Sequence, residues 1–353
     1  MNNLQSIKEQ LEGNKLDAML IASPVACRWA TGLRTSAGAL LVTKGENLFI
    51  TDSRYIEVAR AQIQGAKVEM VETGMSYTGR IEEFLTRQGV KRLGFEQDTM
   101  TQGAYVKFSR ELTAEMLPAQ AMIDDLREVK SQAEYKIMQQ AQDITDKTFA
   151  EVVQKISKDM TEEALAAELV YRLMKNGGEK PAFDPIVVGG SRSSMPHGRP
   201  GSHKLEGFVT IDFGAVYQGY CADMTRTIAI GEPTEEMKNV YEIVRSAQLA
   251  GIKAARGGMI GKEIDKAARD VIDKAGYGSY FGHGLGHSLG LEVHESLKAS
   301  PTETRPIPTG AIISIEPGIY LPGKFGVRIE DTIYLTETGN EILTKTTKEL
   351  IIL

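Results

Sequence analysis

The sequence predicts an α+β protein of two domains, a smaller α/β domain over residues 1–127 and a larger α+β domain over residues 128–353. Three observations predict it. At 353 residues the chain is long for a single hydrophobic core. Its first third alternates short apolar runs with amphipathic stretches, as strands and helices do when laid in turn. Beyond residue 128 the order changes to two long helical patterns, a strand region rich in Gly, Pro and Ser, two more helices, and strands again.

In the first domain, LDAMLIA (16–22), GALLVTKG (38–45), NLFIT (47–51) and RLGFE (92–96) read as strands. SIKEQLEG, RYIEVARAQI and YTGRIEEFLTRQG read as helices, the last closed by Gly89 as a C-cap. In the second domain, helical periodicity runs over 131–158, 161–178, 234–255 and 262–276. DPIVVGG, GFVTIDFGAVY, AIISIEPGIYL, GVRIEDTIYL and the C-terminal ELIIL read as strands. No repeat of 20–50 residues and no low-complexity tract stands out.

Composition is that of an ordinary globular protein, 42% hydrophobic and 25% charged. A net charge of −6 provides no basic excess for phosphates, which argues against nucleic acid as a partner. The N-terminal stretch MNNLQSIKEQLEGNK has no apolar core of a secretory signal, and no apolar run reaches the roughly 20 residues that span a bilayer. Cys27 and Cys221 are far apart and form no CxxC pair. A reducing cytoplasm with no membrane partner is the expectation.

The chemistry is announced by acids placed inside apolar strands. In GFVTIDFGAVYQGYCADMTRTIAIG (207–231), a turn centred between Tyr217 and Gln218 pairs residues whose numbers sum to 435. Asp212 and Asp223 would then face each other with Cβ atoms roughly 5 Å apart. Two like charges so placed repel, and aspartate is a poor strand former. In ISIEPGIYLPGKFGVRIEDTIYL (313–335), Glu316 and Glu330 flank PGKFG, which reads as a hairpin loop. Carboxylates are rarely buried unless they are paired or hold a metal. Four such acids and one imidazole suit a dinuclear site. Its oxygen-rich donors favour manganese, with cobalt or zinc as alternatives. Two such ions generate a nucleophile from water at neutral pH and polarise the carbonyl under attack.

FGHGLGHSLGLEVHE (281–295) holds three of the five histidines, His283, His287 and His294. A helix would bring them within about 40° of one another. Four interior glycines, each costing about 1 kcal/mol against alanine, rule the helix out in favour of a loop leading to a short strand. In such a loop one histidine can ligate while two point at substrate, and glycine lets backbone pass close to a site. His197 sits in the Gly- and Ser-rich SRSSMPHGRP. His203 has no motif around it and reads as a structural residue.

SSMPHGRP, IDFGAVYQGYCADMTRT, HGLGHSLGLEVHE, SIEPGIY and GVRIEDT, in this order, resemble the pita-bread metallopeptidases of the aminopeptidase P and prolidase branch. LDAMLIASP and ITDSRYIEVA resemble the N-terminal domain of that branch, and LREVKSQAEY the entry into its catalytic domain. CRWATG (27–32) departs from the Tyr-Leu-Thr-Gly-like sequence of relatives. The resemblance implies a C-terminal pita-bread (creatinase/aminopeptidase) domain behind a smaller creatinase N-terminal, ribonuclease H-like α/β domain.

The resemblance also implies roles. Asp212, Asp223, His287, Glu316 and Glu330 would ligate two divalent ions, with Asp223 and Glu330 bridging them. Glu316 would take a proton from the attacking water. His294 would steady the tetrahedral intermediate, His197 and His283 would line the substrate side, and Arg328 would support the ligands. The activity implied is hydrolysis of the bond before proline in an N-terminal Xaa-Pro peptide, by a homodimer. A prolidase carries an Arg shortly after the histidine motif to hold the substrate carboxylate. Here HESLKAS offers Lys298, with Arg305 further on. On that residue the sequence reading favours an Xaa-Pro aminopeptidase over the alternative Xaa-Pro dipeptidase. A binding protein on the same fold is the remote alternative.

Overall fold

Alternation of apolar strands and amphipathic helices builds the N-terminal unit, and the computed structural model describes residues 3–72 and 74–353. Residues up to Arg127 cluster as one unit and Glu128–Leu353 as a second. The first begins with α1 (Leu4–Gly13), β1 (Ala18–Ile21), α2 (Pro24–Thr31), β2 (Ala39–Thr43) and β3 (Asn47–Thr51). It continues with α3 (Ile56–Gln62), β4 (Lys67–Met70), α4 (Tyr77–Gln88), β5 (Arg92–Phe95), α5 (Gln102–Glu111), β6 (Glu115–Pro118) and α6 (Gln120–Glu128). The six strands form one mixed sheet in the order β4-β3-β2-β1-β5-β6. The strands legible in the sequence, β1, β2, β3 and β5, are the four inner ones, buried almost throughout. The edge strands β4 and β6 bury little, so no apolar pattern marks them. Gly89 ends α4 in the left-handed conformation at φ 68°, as its C-cap position requires.

The second unit starts with α7 (Gln132–Val153) and α8 (Glu162–Lys175). Short strands β7 (Lys180–Pro181) and β8 (Ile186–Gly189) follow, then β9 (Gly207–Phe213), β10 (Ala215–Tyr217), β11 (Tyr220–Cys221) and β12 (Met224–Ile230). Next come α9 (Glu235–Ala254), α10 (Gly261–Lys274), β13 (Gly286–His287) and β14 (Lys298–Ala299). The last strands are β15 (Ile312–Ile315), β16 (Gly318–Leu321), β17 (Phe325–Arg328), β18 (Asp331–Leu335) and β19 (Asn340–Ile342). Leu165, Leu169 and Leu173 line one face of α8 and pack with Val209, Ile211 and Phe213 of β9. Ile264, Ala268 and Ile272 do the same on α10, against Ile313, Ile315, Ile319 and Val327 of the second hairpin. The same succession thus occurs twice: two helices, then a long hairpin that carries acids and is covered by those helices.

The first hairpin turns one residue later than the sequence reading placed it. Gln218 and Gly219 both have positive φ, 45° and 84°, as a two-residue type I′ turn demands. Tyr217 pairs with Tyr220, and Asp212 pairs with Thr225 instead of Asp223. The turn chemistry of Gly219 decides the register, and the two aspartates become diagonal neighbours. The hairpin also breaks at Gly214 on one strand and Ala222–Asp223 on the other. The C-terminal ELIIL forms no full strand. Ile352 makes a single parallel bridge to Ala229, with backbone bonds on either side.

Gly214 is where this break depends on glycine, since a Cβ there would lie 1.7 Å from the Ala222 carbonyl oxygen. Gly214→Ala must push the two strands apart and costs about 3 kcal/mol. Chemical denaturation of the metal-free protein should show that loss, and unchanged stability would contradict the packing described.

Candidate metal centre

Strand breaks aim the acids. Asp223 lies between β11 and β12, Glu316 between β15 and β16, and Glu330 between β17 and β18. The registers on both sides of the second break, Ile315↔Asp331 and Gly318↔Arg328, put Glu316 across from Glu330. At a break the backbone N–H has no ladder partner and must find another. The N–H of Glu330 donates to the Thr225 carbonyl at 3.1 Å, which ties the second hairpin to the first. The N–H of Glu316 donates to the Leu285 carbonyl at 2.7 Å, which ties it to the segment leading to His287. That approach needs Gly286, where a Cβ would lie 1.9 Å from the Ser314 carbonyl oxygen. Backbone bonds of the acids themselves therefore assemble the site.

Asp223, His287 and Glu330 each present one donor atom within 4.8 Å of the others. His287 Nε2 lies 3.6 Å from Asp223 Oδ2 and 3.4 Å from Glu316 Oε1. Asp212 is reached through Arg328, whose Nη2 donates to Asp212 Oδ2 at 2.6 Å. Thr225 Oγ1 donates to Glu330 Oε2 at 2.7 Å and accepts from Arg328 Nε at 3.0 Å. Ser314 Oγ donates to Glu316 Oε1 at 3.3 Å.

The charges do not balance among these groups. Burial, reinforced by Asp212 and Glu316, holds the Asp223 carboxyl well above the usual carboxylate range. Burial and Asp223 do the same to Glu330. Burial lifts Glu316 to about 8, with Arg328 opposing and Asp212 adding to the rise. Burial pushes His287 down to about 3, so its ring is neutral. Its Nδ1 lies 3.3 Å from the Ser288 carbonyl. A proton on Nδ1 leaves Nε2 a lone pair aimed at two carboxylate oxygens. Asp212 Oδ1, Asp223 Oδ1 and Glu330 Oε1 are also buried without a hydrogen-bond partner among the described residues. Acceptors facing acceptors in a buried site need positive charge between them. The donor set fits divalent cations bound by oxygen and one imidazole nitrogen.

The remaining predicted residues divide into two groups. His294 stacks edge-on against His287, ring centroids 4.2 Å apart. Burial and the charge of His197 hold His294 below the usual imidazole value, Asp212 opposes this, and Lys298 adds to it. His197 is exposed on its loop. His283 is different. Its Nδ1 lies 2.8 Å from the Gly284 carbonyl and its Nε2 2.9 Å from Tyr320 OH. Both ring nitrogens of His283 therefore have partners within the protein. Tyr320 OH accepts from Arg328 Nη1 at 3.0 Å, so a chain runs from Asp212 through Arg328 and Tyr320 to His283. The sequence reading missed Thr225 and Tyr320. Period-two spacing could have found them, since Thr225 follows Asp223 by two and Tyr320 precedes Arg328 across the hairpin.

Cations and protons compete for these acids. A carboxyl whose folded pKa is raised stabilises the fold fully below its unfolded value, and that contribution is lost as pH rises through the folded value. For Glu316 the window runs from 4.5 to about 8. Metal-stripped protein should therefore lose thermal stability as pH climbs through this window, and loading with a divalent cation should abolish the loss. A stripped protein whose melting temperature rises across the window would contradict the site described.

Residues 136–337 match metallopeptidase family M24, and residues 3–129 match the creatinase/prolidase N-terminal domain. The chain is 38% identical to an Xaa-Pro dipeptidase of Pyrococcus horikoshii, over 99% of this chain and 98% of that one. The solved structure of an Xaa-Pro dipeptidase from Bacillus anthracis superposes with a TM-score of 0.97 at 38% identity, covering 99% of each chain. That of an X-Pro aminopeptidase from Thermotoga maritima gives 0.92 at 35% identity, covering 100% of each. The paired acidic hairpins, the histidine between them and these matches lead to one conclusion: the chain belongs to metallopeptidase family M24, with a creatinase/prolidase-type domain ahead of the catalytic one, and is a hydrolase that works with divalent metal.

Proposed function

We propose that this protein is a dinuclear Xaa-Pro dipeptidase. The carrying observation is the set of buried acceptors in the two hairpins, Asp212, Asp223 and Glu330, with the half-buried Glu316 and the lone pair of His287 beside them. Those five residues would hold two divalent ions. Hard carboxylate donors favour manganese over cobalt or zinc. Bound there, such ions would supply a water nucleophile at neutral pH and polarise the peptide carbonyl. Glu316 accepts the proton of the attacking water: it is the half-buried acid 3.4 Å from His287 Nε2, and among the described residues its carboxylate has only the Ser314 hydroxyl as hydrogen-bond partner. His294 is neutral at pH 7 and makes no ring hydrogen bond among the described residues, so it can donate to the substrate carbonyl. His197 likewise makes no ring hydrogen bond among the described residues and serves the other side of the substrate. Arg328 and Tyr320 hold Asp212 and His283 in place. The buried, unpaired Cys27 and Cys221 fit a reducing cytoplasm.

The dipeptide preference replaces the aminopeptidase reading that the sequence favoured. The relatives named dipeptidase weigh toward it. So does the position of Lys298. It pairs with His287 across β13 and β14, it is exposed, and its charge reaches His294. Arg305 instead binds Glu128, Glu303 and the Ser296 carbonyl. Lys298 is thus the cation placed to take the C-terminal carboxylate of a dipeptide. With manganese, Ala-Pro should be cleaved and Ala-Pro-Ala at least about tenfold less efficiently, since the longer substrate puts no carboxylate there. Cleavage of Ala-Pro-Ala alone would make the aminopeptidase reading the correct one. Lys298→Met should raise KM for Ala-Pro about 10–100-fold and leave Ala-Pro-amide nearly unaffected, the value of a charged hydrogen bond. Glu316→Gln should lower kcat by about 100-fold or more. An active Glu316→Gln enzyme would refute the proton-acceptor role.

A further inference from the structure

The loop between β8 and β9 carries His197, and its closure depends on a residue from another element. Glu162 is the first residue of α8 and is entirely buried. Its Oε1 accepts the Gly189 N–H at 2.9 Å and Arg192 Nε at 3.1 Å. Its Oε2 accepts the Gly201 N–H at 2.9 Å and Arg192 Nε at 3.2 Å. Arg192 Nη2 in turn donates to the Arg199 carbonyl at 2.7 Å. One carboxylate therefore clasps both ends of the loop.

The helix itself does not require this acid. Thr161 already caps α8 by accepting the Ala164 N–H, and an exposed Glu163 already serves the helix dipole. A buried carboxylate is costly unless its partners hold it, and all the partners of Glu162 are groups of the loop. The middle of the loop is pinned to the catalytic hairpin. Ser193 Oγ accepts the Gly326 N–H at 2.9 Å, and the Pro196 carbonyl accepts Arg328 Nη1 at 3.3 Å. Gly198 packs against Val188, where a Cβ would lie 2.7 Å from Cγ1. The backbone on both sides of His197 is fixed, while its ring stays exposed.

We propose that Glu162 is the positioning residue for His197, through the clasp it makes with Gly189, Arg192 and Gly201. This rests on the reading of His197 as a substrate-facing residue. Displacing such a residue by about 1 Å can cost up to about 100-fold in rate. Glu162→Gln replaces one acceptor oxygen by a donor that meets backbone N–H groups, so the clasp opens.

The test is a double-mutant cycle on Ala-Pro with manganese, using Glu162→Gln, His197→Ala and both together. We expect Glu162→Gln to lower kcat/KM about tenfold or more in the wild-type background and by less than about twofold in the His197→Ala background. Metal content after loading should be unchanged. The Gly189 and Gly201 amides should lose hydrogen-exchange protection by about tenfold or more, a readout independent of any substrate. Equal losses in both backgrounds, loss of metal, or unchanged amide protection would each overturn the proposal. If Glu162→Gln does not fold, Arg192→Ala opens the same clasp from the less buried side and must show the same dependence on His197. Wild-type cleavage of Ala-Pro separately tests the functional reading on which the role of His197 stands.

Discussion

The rest of the catalytic unit is arranged around an unfavourable contact: several carboxylates gathered in one buried site. Asp212, Asp223 and Glu330 each bury an oxygen without a hydrogen-bond partner among the described residues. Asp212 and Glu316 raise the proton affinity of Asp223, and Asp223 raises that of Glu330. A fold driven only by burial of apolar surface would not concentrate charge in this way. Arg328 alone does not neutralise the cluster. Its guanidinium remains charged in spite of burial because Tyr320, Asp212 and Glu316 surround it. The site is stable as a protonated cluster or as a cation-filled one, and its chemistry follows from the second.

Holding such a site requires that the elements around it be rigid and independently stable. Each hairpin is backed by its own pair of helices, with leucines of α8 behind the first and the apolar stripe of α10 behind the second. Apolar cores therefore lie behind the acids and secure the backbone. Arg226 adds a polar anchor on the far side of the second hairpin. It donates to the Glu330 carbonyl at 2.5 Å, to Asp331 Oδ1 at 2.7 Å and to the Thr346 and Thr347 carbonyls. The C-terminal segment is thereby tied to the residue that aims Glu330.

Much of the fold was legible because its signals are local. The inner strands of the first unit and the four long helices of the second carry uninterrupted apolar patterns. The edge strands β4 and β6 do not, since pairing with a neighbour, and not burial, makes them strands. The site residues were legible for the opposite reason. Asp212, Asp223, Glu316 and Glu330 stand out as acids where the surrounding pattern is apolar, and a resemblance to known sequences sharpened their roles. Thr225 and Tyr320 were missed because a threonine or a tyrosine in a strand violates nothing. Glu162 escaped for a similar reason. An acid in the first turn of a helix is what helix electrostatics lead one to expect, and only its burial sets it apart.

By itself the sequence determined the chemical type of this protein: the kinds of side chain gathered at the site, and the rejection of a helix for the glycine-rich histidine segment. These follow from residue identity and short-range rules. The tertiary structure decided how those donors meet. The turn at Gln218–Gly219 shifted the hairpin register by two, so Asp212 and Asp223 became diagonal instead of opposed. The hydroxyl of Tyr320, on a strand remote in sequence, and the carbonyl of the adjacent Gly284 occupied the two nitrogens of His283, while the ring of His294 has no hydrogen-bond partner among the described residues. Lys298, and not Arg305, came to lie beside the histidines, because β14 pairs with β13 while Arg305 is held by Glu128. Register, tautomer and the reach of a side chain depend on what lies across a strand pair, and that is settled only when the chain has packed.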